Sequence, residues 1–252
     1  TYLTDLSEQQ WHRIAHHFEV ASGRGRPPKH DKRQIVNAIL YLTKSGCQWR
    51  MLPMDFPPWQ TVYDHFSRWN KRGVWERALD ELSALIAARE KKVHAQHGIV
   101  DSQSVKTVTA SEEIGIDGGK KTKGRKRHIV VDIMGNLLHV QVHAANVHDT
   151  KGAPSLLART VEKWPTLQAF SADAGYRGTT LKFVQEVLKR QCHISTKIKD
   201  GFAVLPKRWV VERTFAWLGN FRRLAKDVEV LTATAENFVR VAMVKMTLAK
   251  LR

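Results

Sequence analysis

The sequence predicts a mixed α/β domain that follows an all-α N-terminal domain. Two observations lead to this fold class: apolar residues recur at helical spacing up to about residue 95, and short strand-like runs begin at His97. The overall balance, with 42% hydrophobic and 26% charged residues, is that of a globular protein. We therefore divide the chain into a helical domain, residues 1–95, and an α/β domain, residues 96–252.

Helical periodicity predicts four helices in the first domain. Ser7 is a suitable N-cap for a short first helix, and a second helix is predicted over residues 31–45. After a proline-rich break, a third helix is expected to start near Thr61 and a fourth to cover residues 74–92. A short helix, a turn and a second capped helix are typical of helix-turn-helix modules, so we expect this domain to bind DNA.

The α/β domain is predicted from short apolar runs separated by turns and helices. Gly135 and Asn136 form a hairpin turn between two of the runs, and Pro206 is placed to open a helix. Another helix is predicted over residues 179–190. The predicted strands are residues 98–101, 128–132, 137–142, 169–173 and 192–195.

The charge of the chain is strongly positive. Lys and Arg number 41 against 24 Asp and Glu, which gives a net charge of +17. Such a surplus favours a polyanionic partner such as nucleic acid, although ribosomal and basic secreted proteins share it. The two cysteines are in no metal-binding or disulfide pattern, and we see neither a leader nor an apolar run of about 20 residues. We therefore expect a cytoplasmic, nucleoid-associated protein with no membrane contact and no small-molecule substrate.

Three acidic residues could form a metal site. Asp101 and Asp173 each close a predicted strand, where side chains can project into a crevice at the sheet edge, and Glu212 lies on a helix that could reach them. Three such carboxylates could hold two Mg²⁺ or Mn²⁺ ions for phosphodiester chemistry. The alternative is that both Asp residues cap turns and that Glu212 pairs with Arg208, four residues earlier.

The residues around these acids resemble a known family. Residues 101–107, 172–178 and 208–218 resemble the three catalytic blocks of bacterial insertion-sequence transposases of the Asp-Asp-Glu type, in particular the insertion-sequence five group. Residues 46–50 and 59–63 resemble the N-terminal domain of that group, so the likeness extends over the whole chain. It implies an RNase H-like core in which Asp101, Asp173 and Glu212 bind two metal ions.

The resemblance also implies a function. The N-terminal helices would bind the terminal inverted repeats of an insertion sequence, and the core would cut double-stranded DNA and join it to a target, as a homodimer holding two element ends. Arg208, one helical turn before Glu212, would contact a phosphate. Two auxiliary residues of some relatives, a Tyr and a Lys, are replaced by Leu205 and Gly219, so Arg222 or Arg223 could substitute.

Basic residues near these blocks are candidate DNA contacts. Six of the eight residues in 120–127 are basic, and this run is expected to hold phosphates, with a solvated loop as the alternative. Residues 25–27 resemble a minor-groove hook. The complete set of predicted DNA contacts is Arg208, Lys106, Lys120, Lys121, Lys123, Arg125, Lys126, Arg127, Arg177, Arg222 and Arg223.

Two other functions are compatible with the sequence. A metal-dependent nuclease would use the same acids without joining DNA, and only strand-transfer products would distinguish it from a transposase. A non-catalytic DNA-binding regulator derived from a transposase is the second alternative, although the presence of all three acids argues against it.

Overall fold

The computed structural model describes residues 1–19, 29–91, 95–108, 110–195 and 206–251. The predicted hook at residues 25–27 and the substituted position Leu205 lie outside these ranges. The described chain begins with helices and continues into a mixed sheet with flanking helices. The predicted α/β fold class with a helical N-terminal region is confirmed.

The N-terminal helices form where local signals predict them. Ser7 caps α1 in a capping box with Gln10, and Asp31 caps α2 by accepting from the backbone N–H of Arg33. Gly46, in the left-handed conformation at φ 73°, ends α2. The third helix starts two residues before Thr61. The bounds are α1 Glu8–Phe18, α2 Lys32–Ser45, a 3₁₀ turn Trp49–Met51, α3 Trp59–Lys71 and α4 Val74–Arg89.

Six strands form one sheet in the described part of the chain. Its strands are β1 His97–Lys106, β2 Gly115–Asp117, β3 Thr122–Val131, β4 Leu137–Ala144, β5 Ala169–Ala172 and β6 Gln191–Ile194. Apart from the short β2, which lies beside β3, the order across the sheet is β4-β3-β1-β5-β6. The strands β1, β3 and β4 pair antiparallel, whereas β5 and β6 run parallel to β1. This is the order and direction of strands in an RNase H-like sheet.

Most of the remaining helices pack on the sheet, and the last of them also packs against the N-terminal helices. The remaining helices are α5 Asp149–Lys163, α6 Thr179–Lys182, α7 Pro206–Gly219, α8 Arg222–Ala225 and α9 Thr232–Lys250. The helix predicted over residues 179–190 is interrupted, because α6 passes into a π-helical turn, Phe183–Val187. The helix α9 was not predicted from the sequence.

One hydrophobic core joins the N-terminal helices to the sheet and to α9. Ile39 of α2, Trp75 of α4 and Phe238 of α9 are all fully buried in the same cluster as Ile129 of β3. The ring of Phe238 stacks on Phe66 of α3, with centroids 4.7 Å apart. The division into residues 1–95 and 96–252 stays a prediction, and side-chain packing crosses it. No helix in the described ranges is long and apolar enough to span a membrane.

Candidate active site

Asp101 and Asp173 are brought to the same level by the parallel pairing of β1 and β5. Ile99 is in register with Ser171, so each Asp lies two residues beyond a paired residue and points to the same face of the sheet. The expectation that Asp101 ends its strand is wrong, since β1 continues to Lys106 along β3. The parallel β1–β5 ladder, however, ends at Ile99, and the crevice opens at that point.

The two carboxylates line a common cleft with residues of α7. The walls of this narrow cleft include Asp101, Asp173, Ser171, Ser195, Arg208 and Val211. The end of the parallel β1–β5 ladder therefore supplies the acidic side of the cleft, and α7 supplies the positively charged Arg208.

Backbone N–H groups fix one oxygen of each carboxylate. The N–H of Ser102 donates to Oδ1 of Asp101 at 2.7 Å, and that of Gly175 donates to Oδ1 of Asp173 at 2.8 Å. Asp173 thereby caps the 3₁₀ turn Ala174–Tyr176, which is the turn role considered in the sequence analysis. Among the described residues, no hydrogen bond occupies Oδ2 of either side chain. These oxygens remain available to a cation.

Burial and mutual repulsion make the charged form of Asp101 costly. Desolvation raises its pKa to about 6, the Ser102 N–H opposes the rise, and the charge of Asp173 adds to it. The positive charges of Lys120 and Arg208 lower the pKa by smaller amounts. Removal of the carboxylate from water, more than the charge of Asp173, therefore disfavours the charged form of Asp101.

This pKa leads to a pH-dependent prediction for Asp101→Asn in metal-free solution. A raised carboxyl pKa favours folding below pH 4, and this contribution is lost as the pH rises through about 6. At pH 7 we expect the substitution to increase the free energy of unfolding by about 2 kcal/mol, and at pH 4 to leave it nearly unchanged. Urea denaturation with chelator at both pH values measures this, with Glu162→Gln as an exposed control. An equal change at both pH values would contradict it.

The carboxylate of Glu212 does not lie in one cluster with those of Asp101 and Asp173. Its Oε1 accepts a hydrogen bond from Nε of Arg208 at 2.7 Å, which is the i, i+4 pair considered as the alternative in the sequence analysis. Among the described residues, the ligand atoms of Asp101, Asp173 and Glu212 do not all lie within 4.8 Å of one another. The structure thus brings two acids together and places the third beside Arg208 on the neighbouring helix.

Four of the predicted DNA contacts are buried and have partners inside the protein, so the prediction is wrong for them. Arg125 donates to Asp227 and to three backbone carbonyls, and its side chain is 0% exposed. Lys126 binds Asp149 at 2.9 Å, and Arg127 donates to the carbonyl of Leu224. Arg223 binds Glu229 and the carbonyl of Cys47. Their charges stabilise the fold and are not available to phosphates.

The other predicted DNA contacts remain accessible. Arg208 is partly exposed, and Nζ of Lys120 donates to the carbonyl of Ser102, the neighbour of Asp101. Lys120 therefore lies at the edge of the cleft, in a turn that Asp117 holds through two backbone N–H groups. The exposed members are Lys106, Lys120, Lys121, Lys123, Arg177 and Arg222.

A buried polar network behind the cleft was missed in the sequence analysis. The hydroxyl of Tyr176 lies 2.7 Å from Nε2 of His128, whose other ring nitrogen is 3.3 Å from His143. Ser102 donates to Asp149 at 2.9 Å. Tyr176 lies in the block that contains Asp173, which was the available signal. The residues of this network come from β1, β3, β4, α5 and the turn after β5, so that spacing along the chain does not indicate it.

Comparison with known proteins agrees with these features. Residues 6–79 match a family model described as "Putative transposase of IS4/5 family (DUF4096)", and residues 93–246, more than half of the chain, match the "Transposase DDE domain" model.

Two curated proteins are similar to parts of the chain. An uncharacterized protein, y4sN, of Sinorhizobium fredii is 32% identical over 82 residues, 32% of this chain. An uncharacterized 16.2 kDa protein of insertion element IS402 from Burkholderia cepacia is 31% identical over 93 residues, 36% of this chain. The matches span 62% of the length of each relative. With the longer family match covering the sheet, the cleft and most of α9, this chain belongs to the family of transposases with a DDE domain.

Proposed function

We propose that this transposase binds the ends of an insertion sequence, cleaves the DNA there and joins the freed 3′ end to target DNA. The observation that carries the proposal is the meeting of Asp101 and Asp173 at the end of the parallel β1–β5 ladder, in a cleft that also contains Arg208. The DDE family membership supports DNA as the partner.

The residues of the cleft fit a divalent metal site. Mg²⁺ favours sites with one or two carboxylates, completed by water and substrate phosphate. Asp101 and Asp173 offer one such pair, and a bound cation would offset the burial that raises the pKa of Asp101. Each keeps Oδ2 clear of the hydrogen bonds that orient it. Bound ions would supply an activated water or 3′-hydroxyl and would neutralise charge on the phosphate.

Glu212 completes the site by exchanging its partner. Its side chain is 49% exposed and that of Arg208 is 37% exposed, so their ion pair is partly solvated and costs little to break. We infer that Glu212 turns toward the two Asp residues when metal and DNA bind. Arg208, released on the same face of α7, then binds a phosphate of the substrate.

The DNA surface surrounds the cleft. The exposed basic residues near it include Lys120 at its edge and Arg177 in the turn after β5, and the chain carries a net charge of +17. The N-terminal helices recognise the terminal repeat in this proposal. Two element ends have to be held for joining, so we infer a dimer on DNA.

Cleavage and strand transfer by the purified chain test the proposal. The substrate is DNA that carries the sequences flanking the coding region, with Mg²⁺ or Mn²⁺ added. We expect nicked and joined products from the parent, no nicking by Asp101→Asn, and retained DNA binding by that variant. Glu162→Gln, which removes an exposed carboxylate on α5, is the matched control and stays active. Unchanged nicking by Asp101→Asn contradicts the proposed site, and nicking without joined products supports the nuclease alternative.

A further inference from the structure

Two histidines of α1 and a glutamate of α4 converge at a position unrelated to the cleft. Nε2 of His16 lies 2.9 Å from Oε2 of Glu81, and Nε2 of His17 lies 2.8 Å from the same oxygen. The three ligand atoms all lie within 4.8 Å of one another. In the described part of the chain, this is the one group of three or more His, Cys, Asp or Glu residues that meets this distance.

The two separations between a histidine nitrogen and the Glu81 oxygen are close to those of a coordination shell. Ligands bound at 2.0–2.1 Å to one ion are separated by about 3.0 Å at right angles and by about 3.4 Å in a tetrahedron. The observed separations of 2.8 and 2.9 Å need to widen by only a few tenths of an ångström. His16 and Glu81 are exposed and His17 is partly exposed, so their side chains can make this adjustment and water can complete the shell.

The charges also favour a cation at this place. Both imidazoles point a ring nitrogen at one carboxylate oxygen, so one bound ion can replace both hydrogen bonds. Imidazole nitrogens together with a carboxylate suit Zn²⁺ and its transition-metal neighbours better than Mg²⁺.

We propose that His16, His17 and Glu81 form a Zn²⁺ site that connects α1 to α4. The inference is independent of the proposed reaction, because none of the three residues belongs to the cleft. The ion joins the last turn of α1 to the middle of α4, two helices that also meet through the buried rings of Phe18 and Trp75, 4.9 Å apart. Zinc bound there holds α1 against the rest of the N-terminal helices.

Zinc titration of the metal-free full chain against a chromophoric chelator tests this site. Every protein in this experiment carries Asp101→Asn, which weakens zinc binding in the cleft. The parent is the chain with this substitution alone. We expect one zinc ion per chain, with affinity at least about tenfold lower in His16→Ala and in Glu81→Gln. Zinc at 100-fold excess over its Kd is expected to raise Tm by roughly 5 °C in the parent and by much less in the two variants.

Two comparisons keep the result decisive. His193→Ala removes an exposed imidazole on β6 and is expected to bind zinc as the parent does. Glu81→Gln keeps the size and hydrogen-bonding capacity of the side chain, so the fold persists even if His16→Ala unfolds. Equal zinc affinity and equal Tm shifts in the parent and Glu81→Gln overturn the proposal, as does the absence of zinc binding by the parent.

Discussion

Glu212→Gln is expected to lower the rate of metal-dependent DNA cleavage on the order of 10³-fold while DNA binding persists. Glutamine keeps the length of the side chain but loses the charge that a divalent ion needs, and metal stabilisation of a phosphoryl-transfer transition state is worth several kcal/mol. The substitution also removes the ion pair with Arg208, which is exposed and contributes little to stability. Cleavage rates at saturating DNA and a series of Mg²⁺ concentrations measure the effect.

Arg208→Ala is the control that separates the two roles of Glu212. If Glu212 binds metal, losing its partner leaves it free, and Arg208→Ala mainly weakens DNA binding, with a salt dependence reduced by about one phosphate contact. If Glu212 serves only to hold Arg208, the two substitutions lower cleavage to the same extent. Matching losses in both variants therefore contradict the proposed ligand role.

Arg125→Met is expected to lower the free energy of unfolding by about 3–5 kcal/mol, because a buried ion pair loses one partner. The Asp227 side chain, 1% exposed, would keep its charge without the guanidinium that lies 3.2 Å away. The backbone carbonyl of Glu112 would also lose its Arg125 donor, and those of Glu229 and Val230 would each lose one of two donors. Urea denaturation monitored by tryptophan fluorescence measures the change.

Lys123→Met provides the matched control for Arg125. It removes a basic residue from the same strand, two positions earlier, where the side chain is exposed, and is expected to change stability by less than about 0.5 kcal/mol. Lys123→Met is expected to weaken DNA binding more than Arg125→Met does. A stable Arg125→Met protein with weakened DNA binding would restore the phosphate-binding role predicted from the sequence.

Features with local causes were predictable from the sequence. Ser7 and Asp31 cap their helices through neighbouring N–H groups, and Pro206 opens α7. The juxtaposition of Asp101 and Asp173 was predicted too, although for an incomplete reason. The strand after Asp101 continues in its antiparallel ladder, and the crevice forms because the shorter parallel strand ends. Strand length depends on the partner strand, which a single segment does not reveal.

Features with distant partners were not predictable. The run over residues 120–127 was expected to hold phosphates, with a solvated loop as the alternative, yet its last three residues lie within β3 and are buried. Arg125 binds Asp227 and the carbonyls that follow it. These partners lie about 100 positions later in the chain, so the residues around Arg125 do not reveal them. The sequence shows that these residues are positively charged but not whether their side chains are buried. The same run is therefore compatible with a DNA-binding surface and with an internal hydrogen-bond network.

The sharing of one core between α4 and α9 has a consequence for synthesis of the protein. The helices that end at Arg89 leave the ribosome well before Thr232–Lys250, which supplies the buried Phe238, Val241 and Val244. Until then the apolar faces of α2 and α4 lack their final cover and are open to chaperones and proteases. Folding is therefore completed only after translation has passed α9. A copy of the gene with a stop codon before Thr232 would yield a chain that is degraded, so such a lesion would silence the element at the level of protein abundance.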